Sequence, residues 1–178
     1  MVSPDFKQNY FELFELPQQF EVDLTALGQR YRQLQQELHP DRFAGRTDHE
    51  QRVAVQYSAL VNEAHDTLRR PLNRALYLLQ LQGMSAEEVA AQQVDGGFLI
   101  EQMELREKLE SIDDLVDPEL VLEHLMDEVE EDIAAHQREF VHAFEKDDVP
   151  AAASACVKMQ YLDKLLVEAE QLEASLMD

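Results

Sequence analysis

The 178-residue sequence predicts an all-α protein. Apolar residues recur at three- and four-residue steps along nearly the whole chain, the period of one helix face. Gly and Pro, which interrupt helices, number only 5 and 6, while Ala, Leu, Gln and Glu abound. No stretch alternates apolar and polar residues with the two-residue period of a strand. The predicted architecture is an antiparallel helical hairpin with short flanking helices in residues 1–83, a polar linker in 84–97, and a three-helix bundle in 98–178.

The elements follow in order. Asn9 to Leu16 is a short apolar segment stopped by Pro17. Asp23 suits the N-cap of the next helix, whose stripe is Leu24, Leu27, Tyr31, Leu34 and Leu38. Gln29, Arg32, Gln33 and Gln36 fall on its water-facing sides. Pro40 bars ordinary helix for the residue before it, so this helix stops near Leu38. Thr47-Asp48-His49-Glu50 has the spacing of a capping box, and Val53, Tyr57, Leu60, Val61, Ala64 and Leu68 form the stripe it opens. Two long amphipathic helices joined by a short loop pack antiparallel. Pro71 fits the first turn of a further helix, Leu72 to Gln82, ended by Gly83.

Residues 84–97 are small and polar and close on Gly96-Gly97. Three helices follow: about Phe98 to Leu115, Asp117-Pro118 to about Phe144, and about Asp148 to Leu176. Leu125, Val129, Ile133, Phe140 and Phe144 suit a bundle core, as do Met159, Leu162, Leu166, Ala169 and Leu172.

Charge narrows the classes of partner. The net charge is −22, unevenly spread: residues 1–94 carry 9 Lys+Arg against 13 Asp+Glu, a net of −4, and residues 95–178 carry 6 against 24, a net of −18. Such a surface repels nucleic acid. Residues 25–46 reverse the balance, with Arg30, Arg32, Arg42 and Arg46 against Glu37 and Asp41, so a small basic island flanks His39-Pro40-Asp41. The single cysteine, Cys156, excludes an internal disulfide, and it reads as a small core residue. The six histidines lack ligand spacing, so no metal and no cofactor is expected. The acidic run Asp127-Glu128-Glu130-Glu131-Asp132 lacks the loop geometry of a calcium site and reads as a solvated helix face. No apolar run has membrane length and no signal-peptide pattern opens the chain. The expectation is a cytoplasmic protein, or an organelle form without its presequence.

The most informative feature is His39-Pro40-Asp41 at the tip of the hairpin, a rigid corner offering an imidazole and a carboxylate. With no nucleophile, phosphate loop or metal set beside it, the corner is read as a recognition surface, and no catalytic residue is assigned. The whole N-terminal half resembles a J domain. Asn9-Tyr10-Phe11-Glu12-Leu13-Phe14 resembles the opening segment of that family, and Tyr31-Arg32-Gln33-Leu34 with Leu38-His39-Pro40-Asp41-Arg42-Phe43 resembles its second helix and turn. Asn62-Glu63-Ala64-His65-Asp66-Thr67-Leu68 is similar to the end of the third helix, and Arg70-Pro71-Leu72-Asn73-Arg74-Ala75 to the start of the fourth. Phe98-Leu99-Ile100-Glu101-Gln102-Met103-Glu104-Leu105-Arg106-Glu107 and Tyr161-Leu162-Asp163-Lys164-Leu165 resemble the C-terminal domain of HscB-type J proteins.

That resemblance implies a co-chaperone of iron–sulfur cluster assembly. It binds an IscU-type scaffold, delivers it to a DnaK-type chaperone ATPase (HscA) and stimulates ATP hydrolysis. The resemblance implies His39, Pro40 and Asp41 as ATPase-binding residues, and Arg30, Arg32 and Arg42, a basic island on an acidic protein, suit steering toward an acidic partner, although many J domains carry a lysine-rich second helix where this one carries glutamines. The scaffold-binding residues implied are Leu99, Ile100, Met103, Glu104, Arg106, Glu107 and Tyr161. The residues themselves give partial support. Phe98, Leu99 and Ile100 are consecutive and cannot all face one core, while Leu105, Leu109 and Ile112 suffice for a buried stripe. Part of Leu99-Ile100-Met103 is left as an exposed apolar patch, with Glu104, Arg106 and Glu107 as a charged rim. Tyr161 suits either the patch or the core. One rival, a general J protein, keeps the corner and changes only the client; a second is an enzyme using His39 and Asp41 as acid and base. A helical adaptor with no effect on any ATPase is a third.

Overall fold

The structure is a computed structural model and describes residues 5–112 and 115–176. Every regular element among these residues is helical. The chain divides into two compact units, Met1–Leu78 and Leu79–Asp178.

In the first unit, α1 (Tyr10–Leu13) is held by a reciprocal capping box in which Asn9 Oδ1 accepts from the Glu12 amide (2.9 Å) and Glu12 Oε2 from the Asn9 amide (2.8 Å). Next, α2 (Leu24–Glu37) starts where Asp23 Oδ1 accepts from the amides of Thr25 and Ala26. One turn of 3₁₀ helix, Pro40–Arg42, separates it from α3 (Asp48–Arg69), which the predicted Thr47–Glu50 box caps. The hydrogen bonds from Thr47 hold the Glu50 carboxyl below its usual range. Then α4 runs from Pro71 to Leu81, its last three residues falling in the second unit. Leu27 and Leu34 of α2 are buried, as are Tyr57, Val61, Ala64 and Leu68 of α3, with Phe11, Phe14 and Phe20. Leu24, predicted in the stripe, is exposed: as the first residue of α2 it precedes the turns that pack. Tyr10 stacks on Tyr77 (4.3 Å between centroids), whose hydroxyl accepts from the Tyr10 amide (3.0 Å). Arg74 is buried, and its Nη1 donates to the Leu68 carbonyl (2.6 Å) near the end of α3.

The second unit holds α5 (Ala86–Ala90), α6 (Gly96–Glu110), α7 (Pro118–Glu145) and α8 (Val149–Leu176). The linker reading of 84–97 missed α5, which a Ser85–Glu88 capping box starts and whose Val89 is buried. The helix predicted from about Phe98 to Leu115 is α6; it starts two residues earlier, at Gly96, and ends five residues earlier, at Glu110, and residues 113–114 of the expected helix lie outside the described residues. The turn between α7 and α8 is tight: Asp147 takes a left-handed conformation (φ 57°) and the Asp148 amide donates to the Ala143 carbonyl (2.9 Å). One core joins Phe98, Leu105, Leu109 and Ile112 to Leu122, Leu125 and Val129 of α7 and Leu162, Leu165 and Ala169 of α8. Ile133, Phe144, Leu166 and Leu172 are only half-buried; Leu165 takes the inward place the sequence reading gave to Leu166.

Candidate functional site

Pro40 shapes the hairpin tip. His39 before it is extended (φ −57°, ψ 133°), as a residue preceding proline must be. The chain then closes one tight turn, the Arg42 amide donating to the His39 carbonyl and the Phe43 amide to the Pro40 carbonyl, both at 2.9 Å. Within it the Asp41 amide donates to His39 Nδ1 (3.3 Å). With Nδ1 accepting that bond, a neutral ring carries its proton on Nε2. Asp41 Oδ2 stands 3.5 Å from Nδ1, and the two side chains are 59% and 90% exposed. Both side chains stand open to solvent at the tip of the hairpin. They can be read by a docking partner.

The predicted basic island divides in two. Arg32 and Arg42 are exposed. Arg30 is half-buried and bonded to Glu15 (2.9 Å), so its charge is already met inside the unit. Behind it Tyr31 stacks on His65 (3.9 Å) and donates to Asn62 Oδ1 (2.9 Å), joining α2 to α3. Burial lowers the His65 pKa, Arg69 adding to the effect and Asp66 opposing it.

The second surface lies on α6 and α8. Asp95 caps α6, its Oδ1 accepting from the Phe98 amide (2.9 Å). Phe98 turns inward, while Leu99, Ile100 and Met103 are 40%, 59% and 63% exposed. Tyr161 is 46% exposed and meets Phe98 edge-on at 6.1 Å, so it borders the patch. Glu104 and Glu107 are exposed beside it. Arg106 gives both hydrogen bonds of its Nη2 to Glu168 (3.0 and 3.2 Å), tying α6 to α8 as well as sitting at the rim. Sequence reasoning passed over Asp95 as a cap and Lys158, whose ammonium lies 3.1 Å from Asp95. The Asp-Gly-Gly-Phe run was the available signal for the cap.

Cys156 is fully buried and burial pushes its thiol up to about 12, leaving it unreactive. Among the described residues no group of three His, Cys, Asp or Glu is placed to hold a metal ion. Nor, among them, is any helix long and apolar enough to cross a membrane.

An exposed His-Pro-Asp corner on a helical hairpin, followed in sequence by a bundle with an apolar surface, defines a class of co-chaperone. The family described as the HSCB C-terminal oligomerisation domain matches residues 94–170. The co-chaperone protein HscB homolog of Shewanella loihica is 40% identical over 171 residues, covering 94% of this chain and 99% of that protein. The solved structure of chaperone HscB from Vibrio cholerae is similar with a TM-score of 0.86 at 40% identity, covering 95% of this chain and 99% of that one. The crystal structure of human co-chaperone protein HscB is similar with a TM-score of 0.87 at 34% identity, over 96% of this chain and 85% of that one. The chain belongs to the HscB co-chaperone family.

Proposed function

We propose that this protein is a cytoplasmic co-chaperone of iron–sulfur cluster assembly that delivers an IscU-type scaffold to an HscA-type ATPase and stimulates ATP hydrolysis. The N-terminal unit acts as the J domain, and residues 98–178 hold the scaffold. His39, Pro40 and Asp41 dock on the ATPase, with Arg32 and Arg42 steering the approach and Arg30 fixing α2, the helix that leads into the corner. Docking that is tighter in the hydrolysis-competent state shifts the ATPase toward that state without donating a catalytic group. Leu99, Ile100, Met103 and Tyr161 bury against the scaffold, inside a rim of Glu104, Arg106 and Glu107. Holding both partners raises the scaffold's effective concentration beside the chaperone. The single observation that supports this reading is that the exposed polar corner and the exposed apolar patch fall on two separate compact units.

The test is ATPase turnover of an HscA-type chaperone with and without scaffold. Synergy between scaffold and this protein is the expected result. His39→Gln is expected to return turnover to the basal rate and to keep scaffold affinity. Replacing Leu99, Ile100 and Met103 together by alanine is expected to weaken scaffold binding by at least about tenfold and to keep scaffold-independent stimulation. Equal loss of both activities in either variant overturns the two-surface reading. Full stimulation by a protein that binds no scaffold replaces the client and keeps the corner's role.

A further inference from the structure

We propose that Lys158 is a positioning residue for the cargo surface: its ammonium pins the first turn of α6 to α8, so that Leu99 and Ile100 lie beside Tyr161 as one apolar face. The inference rests on the cargo-holding reading given above and adds a residue to it.

The placement is carried by a row of contacts along α8. Ser154, Lys158 and Tyr161 are spaced four and three residues apart and share one face. They meet the chain leading into α6 in order. Ser154 Oγ donates to the Gln93 carbonyl (3.5 Å), Lys158 Nζ lies 3.1 Å from Asp95 Oδ2, and Tyr161 meets the Phe98 ring. Residues 93–98 therefore run along α8 as a strap that ends where the exposed patch begins.

Lys158 is the charged member of that row, and its side chain is only 17% exposed. An ammonium withdrawn from water must be met by partners. Here three elements supply them: Asp95 before α6, Glu139 of α7 at 4.0 Å, and the Phe98 ring with its centroid at 5.6 Å. Glu139 is itself held by His136 Nδ1 at 2.8 Å. Asp95 works with both oxygens, Oδ1 capping α6 through the Phe98 amide and Oδ2 facing Lys158. Gly97 leaves that carboxylate its room, since a Cβ there would stand 3.2 Å from Oδ1. These bonds hold the Asp95 carboxyl below its ordinary range. Leu99 and Ile100 follow directly, so the direction in which they point is set by this turn. A binding surface is only as well formed as the groups that hold it.

The experiment uses the full chain with Lys158→Met, which keeps the apolar stem and removes the charge, and Lys158→Arg, which restores a cation. The readouts are affinity for the scaffold and hydrogen exchange at the Phe98 and Leu99 amides. The expected result is scaffold affinity about three- to tenfold weaker in the Met variant. Exchange at those two amides is faster there, exchange at Leu162 and Leu165 is unchanged, and the Arg variant recovers most of both effects. Wild-type affinity in the Met variant, or an Arg variant no better than Met, overturns the proposal. A merely structural lysine would speed exchange throughout the core and lower affinity only in step with stability. If the wild-type protein itself binds no scaffold, the functional reading fails. The exchange comparison then decides the pinning alone: unchanged Phe98 and Leu99 amides in the Met variant overturn it.

Discussion

The His39 corner and the Leu99 patch are both exposed, yet they are built by opposite means. Every hydrogen bond that shapes the corner runs within three residues of sequence, and proline sets its backbone covalently. The patch is held from far away: Asp95 by Lys158, Arg106 by Glu168, and Phe98 by Tyr161. A surface made locally is insulated from the packing beneath it. A surface made by long-range contacts changes whenever the core beneath it changes.

The sharpest way to break the symmetry between them is to remove one side chain from each. Phe98→Ala deletes a buried ring that touches His136, Lys158 and Tyr161. The expected cost is about 3–5 kcal/mol, seen as a lower midpoint for unfolding of the second unit, together with lost scaffold binding. Pro40→Ala removes an exposed ring. It is expected to change stability by less than about 1 kcal/mol while sharply reducing ATPase stimulation. Should Phe98→Ala keep scaffold affinity, the patch does not depend on its packing and the contrast between the surfaces fails.

A pH titration tests a smaller effect confined to the first unit. His65 lies against Tyr31 and Phe14, and its folded-state pKa is lowered, chiefly by burial. The folded state therefore favours the neutral ring. The stability this contributes is fully present above the unfolded pKa of about 6.5 and is lost as pH falls through the folded value. Between pH 7.5 and 5.5 the unfolding midpoint of the first unit is expected to fall further in the wild type than in His65→Gln. Carboxylates common to both cancel in that difference. Parallel curves would show that ring burial does not govern the titration.

The same division between local and distant causes explains how much was legible in the sequence. Period and caps located α2, α3, α7 and α8, because Asp23, the Thr47–Glu50 box and Pro118 act within a turn. The outward turn of Leu99 and Ile100 was legible in part, since three consecutive apolar residues cannot share one helix face. The Ser85–Glu88 box was in plain sight and still missed: five residues with one buried valine look like linker until α8 lies beneath them. The Asp95–Lys158 and Arg30–Glu15 pairs were out of reach, because nothing within a turn of either partner announces the other. Arg30 read as an island residue for that reason.

The finest test compares two residues in the same strained conformation, one in each unit. Glu15 and Asp147 both have φ 57°. Asp tolerates the left-handed region through its short side chain, so Asp147→Gly is expected to raise stability by no more than about 0.5 kcal/mol. Glu gains nothing of that kind from its backbone, and glycine there should relieve more strain. Glu15 carries a second duty, however: its carboxylate meets Arg30 at 2.9 Å from a side chain 72% exposed. Exposed pairs of this kind are worth about 0.2–1 kcal/mol, so the loss offsets the relief and Glu15→Gly is expected to be nearly neutral. A double-mutant cycle of Glu15→Gln with Arg30→Met separates the terms, with an expected coupling of about 0.5 kcal/mol. A coupling of zero would mean that Arg30 is as free as Arg32 and Arg42 to meet a partner. The basic island would then be a single surface and not a divided one.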